Sequence, residues 1–480
     1  MLFNSIGFLL FFALVLVLFH GFLRSWSAKK LLLLGASWLF YASWSPRFLL
    51  LLIATTAIDF AFARVIWNRR WTAVGEEKSD GAARARPVLV ASIVLNLGVL
   101  ALFKYGLFFW DSVAIFAPLP DPPRLLEMVV PLGISFYTFH SISYVIDTWR
   151  GVRAPCSSFS DYSLYVAFFP QLVAGPITRW GFFGPQLVAP TRVGRQHIET
   201  ALFLLAVGYI KKVVCADSLG GFVDGVYGRP DAAGQIGAIL AVYAYTFQIY
   251  FDFSGYTDIA MGVAALIGFR LPENFRHPYL SENPSEFWRR WHVSLSTWLR
   301  DYLYIPLGGS RYGSARTYIN LFLTMLLGGL WHGAAWTFVL WGAFHGGWLA
   351  IHRLLGGRVA FGPAGAPTLR VPRTPLWLRR VVTFHMVAFA WILFRAGSME
   401  TFAAFIDALV TPRPLPGPFP VGPTLLVLIG LLTHGIALRR DLQRLWGSVP
   451  QPVQGAVYGA VVVAVGIFSA QSGRFIYFQF

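Results

Sequence analysis

The sequence predicts an all-α protein that crosses a membrane many times. Three observations lead there. Of its 480 residues, 56% are hydrophobic and only 13% are charged, against roughly 25% charged in soluble domains. The mean hydropathy is +0.58. The basic residues fall in short stretches between apolar runs, the distribution expected of polytopic membrane proteins. Lipid then replaces much of the usual core, and the chain reads as one integral-membrane domain over residues 1–480. Its parts are N-terminal spans (1–150), a central core (160–355), a cytoplasmic linker (356–380) and C-terminal spans (381–480).

The first third divides cleanly. Apolar runs cover residues 3–22, 31–44, 48–67, 88–110 and 129–146. The first loop carries Arg24, Lys29 and Lys30. The third carries Arg64, Arg69, Arg70, Lys78, Arg84 and Arg86 against Glu76, Glu77 and Asp80, and the fifth begins with Arg150 and Arg153. The loops between them are poor in basic residues, so odd-numbered loops are cytoplasmic and the N-terminus is outside. Residues 1–5 show no basic region and no small-residue cleavage site, so 3–22 reads as a retained span and not a cleaved signal.

The middle is less regular. Residues 162–177 contain Pro170, Gly175 and Pro176 and are short for a span, which suits a re-entrant or tilted element. Residues 198–214 and 236–251 read as spans flanking an acidic external loop with Asp217, Asp224 and Asp231, and 256–269 is again short. In residues 284–304, Trp288, Trp291, Leu295, Trp298 and Tyr302 recur at three- and four-residue steps. This predicts one amphipathic helix at the cytoplasmic interface, started by Pro284. Residues 318–352 are too long for one ordinary span at ~1.5 Å per residue and predict a bent hairpin with His332 near the turn, at membrane depth.

The last third follows the same logic. Residues 352–380 are rich in arginine and proline and read as cytoplasmic. Runs 381–394, 425–438 and 457–468 are spans, with a proline-rich external loop at 397–422 and an external C-terminus. The total is ten to twelve spans, with no internal repeat.

Several function classes drop out. The formal net charge is +17, but no contiguous basic stripe alternates with aromatics, which argues against nucleic acid. Cys156 and Cys215 have no metal-ligand spacing and are too few for a disulfide framework. No Walker loop, no dinucleotide-binding GxGxxG and no GxSxG elbow is present.

What remains is histidine in an apolar setting. From Tyr318 to Leu349 there is no Asp, Glu, Lys or Arg, and His332 and His345 are the only titratable imidazoles. A polar group in hydrocarbon is costly and faces a protein interior or a watery cavity. Desolvation favours the neutral imidazole that a general base needs, so His332 is the leading candidate; the alternative is a histidine that only bonds a neighbouring helix. His292, in the run Arg289-Arg290-Trp291-His292, is the second candidate, or else a polar-face residue. No spacing joins the two as metal ligands, so no metal site is expected.

Other candidates rank lower. Asp301 can fix the tautomer of a base, or pair with Arg300. Asp252, Ser254 and Asp258 can line a tunnel, or bond between helices. Arg289, Arg290, Arg300 and Arg311 can hold the phosphates of a cytoplasmic donor, or lipid headgroups. His345 reads as structural, and His20, His140, His385 and His434 as packing residues.

The run FWRRWHVSLSTWLRDYLYIPLGGSR at 287–311, followed by GGLWHGAAW at 328–336, resembles the membrane-bound O-acyltransferase superfamily, and more closely its bacterial alginate O-acetyltransferase branch. Supporting segments are FPQLVAGPI at 169–177, the 252–258 stretch and FIYFQF at 475–480. The resemblance implies a ring of helices with re-entrant elements around a central channel. His332 matches the family's catalytic histidine and His292 its second histidine. The implied donor is a cytoplasmic acyl thioester, acetyl-CoA, with no permanently bound cofactor. Independently of the resemblance, Trp331, Trp336 or backbone N–H groups are the nearby donors that would stabilise the oxyanion. The acyl group would cross the bacterial inner membrane, where a periplasmic partner of serine hydrolase-like type places it on a polysaccharide such as alginate. Peptidoglycan, another exopolysaccharide, or D-alanyl transfer from a carrier protein are the alternatives within the family. A transporter is the alternative outside it, without the repeated halves such proteins often show.

Overall fold

The computed structural model describes residues 1, 3–71, 78–189, 192–356, 374–437, 442–468 and 475–476. Among them every regular element is helical. The chain forms two compact units, one of Met1–Leu202 with Ile259–Pro272, the other of Phe203–Asp258 with Glu273–Phe480. Five helices are long and apolar enough to cross a membrane: Pro46–Trp71, Gly81–Ala114, Gly234–Leu266, Leu376–Ala396 and Gln451–Phe468. Ile6–Phe22 and Val421–His434 are shorter apolar helices. The chain is a polytopic, all-α membrane protein.

In the first unit, helices Pro46–Trp71, Lys78–Leu100 and Ile134–Arg150 pack on one another. The loop expected around residues 68–87 is shorter than its charge suggested, because Arg84, Arg86 and Pro87 lie inside the helix Lys78–Leu100. Glu76 and Glu77 lie outside the described residues. The helix Ile134–Arg150 stops at Gly151, whose φ of 73° places it in the left-handed region that a side chain would strain. The broken segment at 162–177 is buried throughout. Two short helices, Phe159–Ala167 and Phe169–Leu172, meet at Phe168. The freed backbone finds partners in protein: Phe169 N–H donates to Ser37 Oγ (3.1 Å) and Thr178 N–H to His140 Nε2 (3.1 Å).

Beyond residue 202 three expectations change. The runs 236–251 and 256–269 are one continuous helix, Gly234–Leu266. The polar stretch at 252–258 does not break it, because Asp252 and Asp258 are paired with Lys212 and Lys211 (2.6 Å each). The acidic segment after residue 214 is largely a helix, Asp217–Gly228, and Asp217 also binds Lys212 (2.7 Å). The expected loop 397–422 contains a helix, Met399–Val410, started by Ser398, whose Oγ accepts from Thr401 N–H. Most of the linker 356–380, with Arg358, Arg370 and Arg373, lies outside the described residues, as do Arg439 and Arg440.

The amphipathic segment 284–304 also differs. It is two short helices, Pro284–Arg290 and Val293–Leu299, with a π turn at Arg300–Tyr304. Periodicity carries across the junction, which is why the sequence read as a single helix. Phe287, Trp288, Trp291, Leu295 and Trp298 are all buried, so the segment is packed within protein.

The hairpin expected at 318–352 is present. Helix Gly313–His332 turns through Gly333-Ala334-Ala335 into helix Trp336–Leu354. The two helices touch at glycine. A Cβ on Gly329 would lie 2.4 Å from Phe338 O, and one on Gly342 would lie 2.5 Å from Met325 O. Small residues at such crossings allow close backbone approach in membranes.

Candidate active site

His332 is the last residue of its helix and sits at the hairpin turn. It is 4% exposed. Three rings enclose it: Trp331 (centroids 4.8 Å apart), Trp341 (5.1 Å, interplanar 85°) and Phe394 (5.1 Å, 68°). Trp341 comes from the second helix of the hairpin and Phe394 from the helix Leu376–Ala396. At the turn, a Cβ on Gly333 would lie 2.1 Å from the Phe338 ring, which packs on Phe394 (4.9 Å).

His292 lies between the two short helices with φ of 43°. A non-glycine residue there is strained by about 1–3 kcal/mol, and such residues cluster at functional sites. The segment 274–276 holds the break open: Arg276 N–H donates to Arg290 O (2.9 Å) and Val293 N–H to Asn274 O (2.9 Å). Asn274 Oδ1 accepts from Ser294 N–H (3.1 Å) and lies 3.3 Å from His292 Nδ1. An oxygen already receiving an N–H requires Nδ1 to be the donor. The tautomer is therefore Nδ1–H, and Nε2 carries the lone pair. That Nε2 is buried and has no hydrogen-bond partner among the described residues. Burial pushes the imidazole pKa down to about 3, so the ring is neutral.

The two candidate histidines meet through one residue. Trp331 packs against His292 (6.1 Å) as well as His332. His345, which the sequence assigned a structural role, lies close by: it is fully buried and packs on Trp341 at 4.7 Å and Trp288 at 5.1 Å. Residues 292, 331, 332, 341 and 345 thus form a continuous row of histidines and tryptophans.

The other candidates divide. Asp252 is not beside this row through any charge of its own: Oδ1 takes Lys212 and Oδ2 accepts from Ile476 N–H (2.9 Å). Its neighbour Phe253, however, packs on His292 at 4.7 Å. Asp258 is held by Lys211. Asp301 takes both prongs of Arg300 (2.6 and 3.0 Å). Arg290 pairs with Glu286, and Arg311 donates to Ile305 O and Gly308 O. Arg289 is exposed and lies near enough to His352 to act on its charge. Trp336 starts its helix and is 51% exposed, whereas Trp331 is buried. Among the described residues no group of three or more His, Cys, Asp or Glu has the arrangement of a metal site.

A profile of the membrane-bound O-acyltransferase family matches residues 154–394, which include every residue of the histidine–tryptophan row. The chain is 41% identical over 415 residues to a probable alginate O-acetylase of Pseudomonas aeruginosa, covering 85% of this chain and 75% of that one. The chain belongs to the membrane-bound O-acyltransferase family. A peptidoglycan O-acetyltransferase of Helicobacter pylori is 34% identical over 435 residues (85% and 78% covered). A teichoic acid D-alanyltransferase of Bacillus subtilis is 27% identical over 299 residues (59% and 73% covered).

An O-acyltransferase needs an acyl donor, a hydroxyl acceptor and a base. The sequence singled out the two histidines as candidates but not Asn274, Trp341 and Phe394, which the structure packs or bonds against them. Trp341 was within reach, nine residues beyond His332 on a helix that the hairpin folds back. Asn274 and Phe394 were not, since no local pattern ties residues so far along the chain to the motif.

Proposed function

We propose that this O-acyltransferase moves an acetyl group from cytoplasmic acetyl-CoA across the bacterial inner membrane for O-acetylation of an extracytoplasmic polysaccharide of the alginate type. The observation that carries the reading is the buried His332 in its aromatic enclosure at the hairpin turn, with neutral His292 across Trp331. His332 takes the hydroxyl proton as the oxygen attacks the thioester carbonyl. The C–O bond forms, the C–S bond breaks, and the proton passes from the imidazolium to the thiolate. His292, with its Nε2 lone pair facing no donor among the described residues, receives a substrate hydroxyl and orients it. The indole N–H of Trp331 is the nearer candidate for the oxyanion, Trp336 being half-exposed.

On the donor side, Arg289 is the arginine best placed for phosphate, because Arg290, Arg300 and Arg311 are engaged within the protein. Arg353, one residue beyond His352, adds a second charge at that end of the hairpin. The loop charges favour an arrangement with both termini outside. A periplasmic partner of serine hydrolase-like type then takes the acyl group from the ester so formed, releasing that hydroxyl, and passes it to the polymer. No permanently bound cofactor enters this scheme.

Membranes carrying His332→Ala should incorporate no label from radiolabelled acetyl-CoA into polymer, while inserting like wild type. Undiminished incorporation sinks the reading. The peptidoglycan and D-alanyl relatives supply the second reading. Deleting the chain and measuring which polymer loses its acyl groups separates the acceptors, and supplying an acyl-carrier thioester in place of acetyl-CoA separates the donors.

A further inference from the structure

The acyl-transfer scheme creates an imidazolium on His332, and a charge in a dry site is costly unless something holds it. Two further rings lie within cation–π range of His332. Trp341 is fully buried and meets the imidazole nearly at right angles (85°, 5.1 Å). Phe394 meets it at 68° and 5.1 Å. Aromatic faces carry negative potential, and an indole is the strongest of them for a cation within ~6 Å of its centroid. A neutral imidazole gains far less from these faces than an imidazolium does. The interaction therefore strengthens as the proton arrives, which is the condition for it to speed the chemical step.

We propose that Trp341, assisted by Phe394, is a positioning residue that presents its ring face to the edge of the His332 imidazole and so stabilises its imidazolium during acyl transfer. The inference rests on His332 being the base. The hydroxyl proton goes to His332 and then to the departing thiolate, so the charge exists only between these events. The charge resides on a ring already in contact with Trp341, and no movement is needed to bring the two together. The titratable groups nearest to His332 through ring contacts are His292, across Trp331, and His345, across Trp341. Each is a fully buried histidine.

Trp341 is packed on Trp391 (5.7 Å) and Trp288 (5.7 Å), so deleting the ring risks the fold. The test therefore keeps the shape and drains the face. Tryptophans with progressively more ring fluorines are placed at position 341 of the full chain, and kcat and KM for acetyl-CoA are measured in vesicles. The expected result is a stepwise fall in kcat, reaching about 5–30-fold for the most fluorinated ring, with KM unchanged. The acid limb of the kcat–pH profile should move to lower pH along the series, because a weakened cage holds the proton less well. Trp341→Phe should fall inside the series. A kcat that stays flat across the series, with wild-type insertion, overturns the proposal and leaves the acyltransferase reading intact. Wild-type activity of His332→Ala would instead remove the reading on which it rests.

Discussion

His292 and His332 share the Trp331 indole, one at 6.1 Å and the other at 4.8 Å between ring centroids. The second histidine reaches the first only because the backbone turns left-handed at His292, at φ 43°. A straight helix over 284–304 would carry residue 292 along the same cylinder as its neighbours. The break sets His292 against Trp331, and Asn274 keeps it there.

Asn274→Ala should therefore weaken both stability and catalysis. Ser294 N–H loses its acceptor and His292 loses the group that fixes its tautomer. A buried donor left unpaired costs about 1–3 kcal/mol, read as a lower Tm in detergent. If His292 orients substrate, kcat falls with it. Full activity at the lower Tm would show that the tautomer is irrelevant to turnover.

The burial of His292 also has a pH signature. Its folded pKa is depressed to about 3 from the ordinary 6.5. The folded state thus disfavours the protonated ring, and the unfolded chain binds the proton first as pH falls. The stability tied to the neutral ring is fully present above pH 6.5 and is lost below it, at up to about 1.4 kcal/mol per pH unit. Thermal unfolding of wild type should drop more between pH 7 and pH 5 than that of His292→Gln. Parallel curves would mean that His292 is not buried neutral in the folded protein.

Lys212 lies between Asp217 and Asp252 at 2.7 and 2.6 Å, with all three side chains nearly buried. Removing one partner of a buried ion pair costs about 3–5 kcal/mol, whereas replacing the pair by apolar groups of similar size is near neutral. Asp252→Leu should destabilise strongly, and Lys212→Met with Asp217→Leu added should recover the part due to unpaired charge, the rest being the Ile476 N–H left without its acceptor. The same experiment addresses the tunnel role considered for Asp252. A triple variant that is stable but inactive would assign Asp252 to the substrate path; one that is stable and active would assign it to the scaffold.

The hairpin was legible from the sequence because it follows from a length and an absence of charge, both local properties. The run from Tyr318 to Leu349 has no charged residue and exceeds one span, so it had to fold back. The break at His292 was not legible. Its causes are Asn274 and the backbone of residue 276, which satisfy the freed groups from outside the motif. The continuity of Gly234–Leu266 was missed for a related reason. Asp252 and Asp258 looked like an interruption until Lys211 and Lys212, forty and more residues earlier, supplied their charges. Local periodicity finds helices and their apolar faces; it does not show which polar groups a distant partner will neutralise.

The hairpin itself offers the last test. Gly342 faces Met325 O at the distance where a Cβ would sit 2.5 Å away, and Gly329 Cα would lie 3.1 Å from the same Cβ. A side chain at 342 must push the helices apart. The second helix also carries Trp341, so the displacement moves the ring that touches His332. Gly342→Val should therefore lower kcat by at least 10-fold while the protein still inserts, because small misplacements of a catalytic group are expensive in rate. Gly347, nearby on the same helix, has open space around its Cβ position. Gly347→Ala should retain wild-type kcat, so equal losses from the two substitutions would show that helix propensity and not close approach controls the site.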